Sequence, residues 1–160
     1  MNTYILFVAA LIPLIVGMVW YNQKVFGNIW LKEIGKTAEE MNAAKPNMLK
    51  IFGFTYLFSL MAASVYMSLV IHQQGAYSLI EGDVENALPS FHAFMEDYGT
   101  LFRTFKHGML HGTIGGLFLS LPMVGVHSLF ENRSWKYIFI HVGYWTVSSA
   151  LMGGLICQFL

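Results

Sequence analysis

His107 and His111 stand one helical turn apart in an apolar stretch. On a helix that spacing puts both side chains on one face. Two imidazoles so placed can hold a transition metal ion. Polar side chains in membrane helices also serve as interhelical hydrogen-bonding contacts, so both readings stay open. His72 ends an earlier apolar run at a level near His107, and geometry allows it as a third ligand. If one helix runs on from Pro89, then His92, Glu96, Thr100, Arg103, His107 and His111 share an arc of about 100°. Phe91, Phe94, Met95, Tyr98, Phe102 and Phe105 lie on the opposite side. Such a polar stripe would relay protons, bind a cation or coordinate a metal. The plainer alternative is a solvated face above the membrane with two histidines just inside it. A helix break near Gly99 would dissolve the stripe.

A second pair of intramembrane histidines is His127, near the end of one apolar run, and His141, about one turn into the next. A short connection puts them at similar depth, where they can pair with each other, with Ser128 or with Glu131. Ionisable groups inside a membrane are functional candidates, although neutral histidine is the cheapest of them to bury. Gly108, Gly112 and Gly116 recur every fourth residue, with Gly115 beside them. This glycine zipper lets another helix approach closely, either one of the same chain or one of a second copy. Pro122 is expected to kink the same helix. The single cysteine, Cys157, excludes an internal disulfide and reads as a small apolar helix residue. There is no phosphate-binding glycine loop, nucleophile elbow, paired-cysteine metal site or HExxH motif.

These residues must be held by membrane helices. Hydrophobic residues make up 56% of the 160-residue chain and charged residues only 11%, against about 25% in soluble domains. No Asp, Glu, Lys or Arg occurs in residues 4–21, 51–71, 108–130 or 137–160. Each window approaches or exceeds the length of about 20 apolar residues that crosses a hydrocarbon core of about 30 Å. Backbone polar groups in lipid must be satisfied internally, so helices are expected, and the runs lack the period-two alternation of a barrel. The expected fold is therefore all-α: a polytopic bundle of four transmembrane helices in a single domain over residues 1–160. The first window lacks a basic n-region and a small-residue cleavage site, so it reads as a membrane helix and not a signal peptide. The formal net charge of zero makes nucleic acid an unsuitable partner; the lipid bilayer is the expected one.

Lys24, Lys32, Lys36, Lys45, Lys50, Arg133 and Lys136 fall in the first and third loops, and only Arg103 and Lys106 in the second. The positive-inside rule then puts loop 22–50 in the cytoplasm and loop 72–107, with both termini, outside. Asn132-Arg133-Ser134 matches a glycosylation sequon on the cytoplasmic side, where it carries no meaning. Thr37 and Glu40 form a capping-box pattern, and Pro46 ends the short helix it opens. In the outer loop, turns are expected up to about residue 89. A short amphipathic helix follows, with Pro89 in its first turn.

The pattern Gly17-x-x-Trp20-Tyr21, Phe26-Gly27-x-x-Trp30 and Thr37-x-Glu39-Glu40 resembles the opening of the bacterial membrane proteins grouped as domain of unknown function 1761. Leu129-Phe130-Glu131-x-Arg133-Ser134-Trp135-Lys136, Gly143-Tyr144 and His107-Gly108-x-x-His111-Gly112 are similar to its later segments. The resemblance covers nearly the whole chain except residues 75–95. It implies a four-span protein of the bacterial inner membrane and supplies no catalytic residue. It also sets His127 and His141 apart from the family's usual pattern.

Three functions fit these residues. The first is a non-enzymatic bundle, acting as an accessory subunit of a larger membrane complex, a homo-oligomer or a transport-related protein; it rests on the small extramembrane mass and the glycine ridge. The second is a metal- or haem-binding membrane protein using His107 and His111, because haem takes histidine ligands from facing helices. The third is a proton-coupled transporter.

Overall fold

The structure is a computed structural model that describes residues 2–160. Its helices are α1 (Tyr4–Ala9), α2 (Ile12–Trp20), α3 (Asn28–Glu33), α4 (Ala38–Ala43), α5 (Met48–Val70), α6 (Gln73–Leu79), α7 (Pro89–Tyr98), α8 (Phe105–Phe130) and α9 (Trp135–Phe159). A π-helical turn, Gln23–Gly27, joins α2 to α3. No strand occurs among the described residues.

Helices α5, α8 and α9 are each long and apolar enough to cross a membrane. The fourth expected span is bent. Tyr4–Trp20 and Gln23–Glu33 qualify together, at an angle of 53°. Within the first arm, Pro13 has no N–H to bond back to Ala9, and a turn at Ala10–Leu11 separates α1 from α2. The Asn2 N–H donates to the Leu160 carbonyl at 3.2 Å. With the three long helices, this bent arm makes up to four candidate spans.

The long helices begin earlier than the charge-free windows because polar side chains cap them. Asn47 Oδ1 accepts from the Lys50 N–H, Thr104 Oγ1 from the His107 N–H and Ser134 Oγ from the Tyr137 N–H. Each cap satisfies a backbone donor that has no partner within its helix. The capping box at α4 is formed as expected, with reciprocal bonds between Thr37 and Glu40.

Helix α9 is the centre of the bundle. Its most apolar stretch is 56% buried, against 11% for α5 and 17% for α8. The outward faces of α5 and α8 carry Phe58, Met61, Val65, Phe118 and Met123, all exposed. In lipid such residues lose nothing by facing outward, and packing rather than hydrophobic burial brings helices together. The buried residues of α9 include small ones, Ser148, Ser149, Ala150, Gly153 and Gly154, beside larger ones such as Met152 and Ile156.

One expectation for the outer loop needs correction, and one alternative left open there is decided. Residues expected to be turns before Pro89 include a helix, α6, whose short polar sequence carries no clear apolar period. The single helix from Pro89 into the third span is not formed. Helix α7 stops at Tyr98, and six residues intervene before α8 begins at Phe105. Phe102 in that break has φ 63°, a left-handed conformation no helix accommodates. The amphipathic helix itself is present, with Pro89 at its first position.

Candidate metal centre

The glycine ridge decides where α8 lies. A Cβ on Gly108 would stand 2.2 Å from the Gly153 carbonyl oxygen, and one on Gly112 would stand 2.2 Å from that of Ser149. A Cβ on Gly116 would meet Thr146 Cα at 2.8 Å. These contacts are with α9 of the same chain, so the ridge is filled without a second copy. With α8 seated backbone to backbone on α9, the His107–His111 face turns toward the end of α5.

That end is tied down by three side chains. Cys157 Sγ, on α9, lies 3.2 Å from the Val70 carbonyl and 3.4 Å from that of Phe102, which share its one S–H proton. Arg103 Nε donates to the Cys157 carbonyl at 2.8 Å, a cation at a helix C-terminus. Gln73 Nε2 donates to the carbonyls of Tyr98 at 2.6 Å and Leu101 at 3.0 Å. The last turn of α5, the break at 99–104 and the end of α9 are thereby fixed to one another. Cysteine 157 is thus more than an apolar filler, although its sequence context carries no sign of this.

His72 follows α5 directly and meets the two histidines of α8. Its Nε2 lies 2.9 Å from His107 Nε2. Ring centroids are 4.8 Å apart for His72 and His111, and 4.5 Å for His107 and His111. One nitrogen from each of the three residues lies within 4.8 Å of the other two. Phe102 stacks on His107 at 4.9 Å and an interplanar angle of 17°, walling one side. The left-handed backbone at Phe102 is what turns its ring to that wall. His72 is exposed, and His107 and His111 are half-buried.

Three imidazoles whose nitrogens lie within 4.8 Å of one another offer, when neutral, a donor set suited to zinc, copper, nickel or iron. Two nitrogens sharing a tetrahedral ion, each at about 2.0–2.1 Å, stand about 3.3 Å apart. The His72–His107 pair at 2.9 Å needs to open by only a few tenths of an ångström. No carboxylate joins the group among the described residues. Three protein ligands with an exposed side leave a coordination position for water or another ligand.

The other expected site residues go elsewhere. His92 and Glu96 lie exposed on α7 and are not part of the histidine group. Arg103 is engaged by the Cys157 carbonyl. The polar stripe is therefore divided by the chain break, and its lower part closes on His72 instead. His127 and His141 do not bond to each other. His127 Nε2 lies 3.0 Å from Glu131 Oε1 on the surface, while His141 Nδ1 lies 2.9 Å from the Tyr21 hydroxyl.

The family described as Protein of unknown function (DUF1761) matches residues 4–157, nearly the whole chain. The chain belongs to that family. No curated protein and no solved structure matches it. The family match supports the resemblance read from the motifs and carries no activity with it, so function rests on the site.

Proposed function

We propose that this membrane protein binds a single transition metal ion through His72, His107 and His111. The observation that carries the reading is the convergence of three imidazole nitrogens within 4.8 Å, contributed by two separate segments of the chain. Irving–Williams preferences and the all-nitrogen donor set favour zinc or copper over magnesium or calcium. A bare ion suits the geometry better than haem. His72 and His107 nitrogens already in hydrogen-bond contact leave no slot for a macrocycle between them. The exposed His72 leaves the ion exchangeable with water. The distribution of Lys and Arg assigns this end of the bundle, with both termini, to the outside. The fit is to a protein that takes up, senses or hands on a metal at the outer surface of a membrane.

The test is elemental analysis of the full chain purified in mild detergent, with Co²⁺ titration followed by visible absorption. One metal per chain is expected. His107→Ala and His111→Ala together should abolish uptake. His72→Ala should weaken it by about 100-fold or more, beyond the 10–100-fold that follows loss of an outer-shell partner. A chain that stays metal-free under micromolar Zn²⁺ or Co²⁺ would overturn the reading. So would uptake indifferent to the three substitutions.

A further inference from the structure

At the opposite end of the bundle the bent first arm stands away from α5 and leaves a cleft of about 480 Å³. That volume lies within the range of small-molecule sites, about 300–1,000 Å³. The walls include Met18, Tyr21, Trp30, Phe52, Thr55 and Tyr144. Met18 and Phe52 are also exposed on the outer surface of their helices, so the cleft opens toward the hydrocarbon. No Lys, Arg, Asp or Glu lines it. A phosphate would find no cation there, and a cationic head would find no carboxylate.

What the cleft offers is aromatic surface and one spare hydrogen bond. Tyr21 is a hub of rings, 5.3 Å from Trp30 and 5.5 Å from Tyr144 between centroids. Tyr144 is committed, its hydroxyl donating to the Pro13 carbonyl at 3.0 Å. Tyr21 and His141 share one hydrogen bond of 2.9 Å, and His141 Nε2 has no partner among the described residues. The neutral pair holds two protons able to donate, the phenol O–H and one imidazole N–H. Their mutual bond uses one. When the imidazole donates, the Tyr21 O–H is free to donate into the cleft.

We infer that the cleft between α2, α3 and α5 binds a neutral, ring-headed lipid bearing a carbonyl, the chemistry of a prenylated quinone. The ring lies among Tyr21, Trp30 and Phe52, the carbonyl accepts from Tyr21, and the tail leaves toward the bilayer. This site is independent of the histidine cluster, which lies at the other end of α5.

The test titrates decylubiquinone into the detergent-solubilised full chain and follows tryptophan fluorescence, with Trp30→Phe identifying the reporting residue. Saturable quenching with a micromolar dissociation constant is expected. Tyr21→Phe should weaken binding roughly tenfold, about 1.4 kcal/mol. Thr55→Trp, which fills the cleft from α5, should abolish saturation. Met18→Trp fills it from α2 and serves if the first variant loses helical circular dichroism. Quenching that rises linearly without saturation would overturn the proposal, as would saturation unchanged in Tyr21→Phe and both filling variants. Displacement of the quinone by an equal concentration of phosphatidylglycerol would overturn the ligand class.

Discussion

The two ends of this bundle are closed by different kinds of contact. At the histidine end, backbone meets backbone: glycines of α8 lie on carbonyls of α9, and Cys157, Arg103 and Gln73 bond to main-chain oxygens. At the other end, large side chains span the gap. Trp20 Nε1 donates to the Ile140 carbonyl at 3.0 Å, and the Tyr144 hydroxyl reaches the Pro13 carbonyl. Glu33 joins α3 to the start of α9 by accepting from Ser134 and pairing with Lys136. Close backbone approach there accompanies three imidazole nitrogens within 4.8 Å of one another. Rings acting as struts leave space between helices, and there the cleft opens. The same chain thus gathers three imidazoles at one end and leaves an open apolar cleft, walled by α2, α3, α5 and α9, at the other.

The largest effect that would break this contrast is expected from Gly112→Leu. Its Cβ would stand 2.2 Å from the Ser149 carbonyl oxygen, and a backbone atom within a packed helix cannot move aside cheaply. Overpacking of this kind costs about 3 kcal/mol or more. The unfolding midpoint in detergent should fall sharply, and metal uptake should be lost with it. A midpoint equal to that of the parent chain would mean that α8 and α9 do not approach this closely.

A smaller effect sharpens the account of the histidine end. Gln73→Leu keeps the side-chain volume and removes both donations, one to the last carbonyl of α7 and one to the break that follows it. Stability should fall by about 1–3 kcal/mol. Metal affinity should fall by about 10–100-fold, the usual consequence of loosening a ligand's support. Stoichiometry should stay at one ion per chain, because all three imidazoles remain. Unchanged affinity in this variant would show that the break is held by other contacts.

Hydropathy and charge spacing made the long helices legible, since a charge-free run of membrane length has few other uses. The cap at Thr37 was legible because its two partners are three residues apart. The bend in the first span was harder. Pro13 marks where α2 begins, but the 53° angle arises from the π-helical turn after Trp20, which no periodicity announces. The polar stripe failed for a related reason. Apolar spacing runs unbroken through Phe102, and its left-handed backbone goes with tertiary contacts, its ring on His107 and its carbonyl on Cys157, that spacing does not announce. That His107 and His111 share one helix face was readable from spacing. His72 was placed at their level by counting along two antiparallel spans. Its direct contact with His107 depends on the glycine seam and on Cys157, which act through backbone and leave no pattern of their own. Tyr21 stood out in the sequence as part of the Gly17-x-x-Trp20-Tyr21 motif, and its bond to His141 joins residues far apart in sequence.

The smallest expected effect tests the contrast from its quiet side. Gly125 lies on α8 beyond Pro122, toward the end where side chains do the bridging. A Cβ there meets nothing within 4 Å, although the glycine itself is buried. Gly125→Ala should therefore change stability by no more than about 1 kcal/mol, in the stabilising direction if helix propensity carries over to the membrane. Metal uptake should be unaltered. The value of the variant lies in its comparison with Gly112→Leu and, at matched size, with Gly112→Ala. The residue type and helix are the same, and only the neighbour differs. If Gly125→Ala cost as much as Gly112→Ala, the glycines of α8 would be acting through a property of the helix itself, such as flexibility about Pro122. Close packing on α9 would then no longer explain why the histidine end holds together. If Gly112→Ala is costly and Gly125→Ala is neutral, the backbone contact with α9 is what positions His107 and His111 against His72.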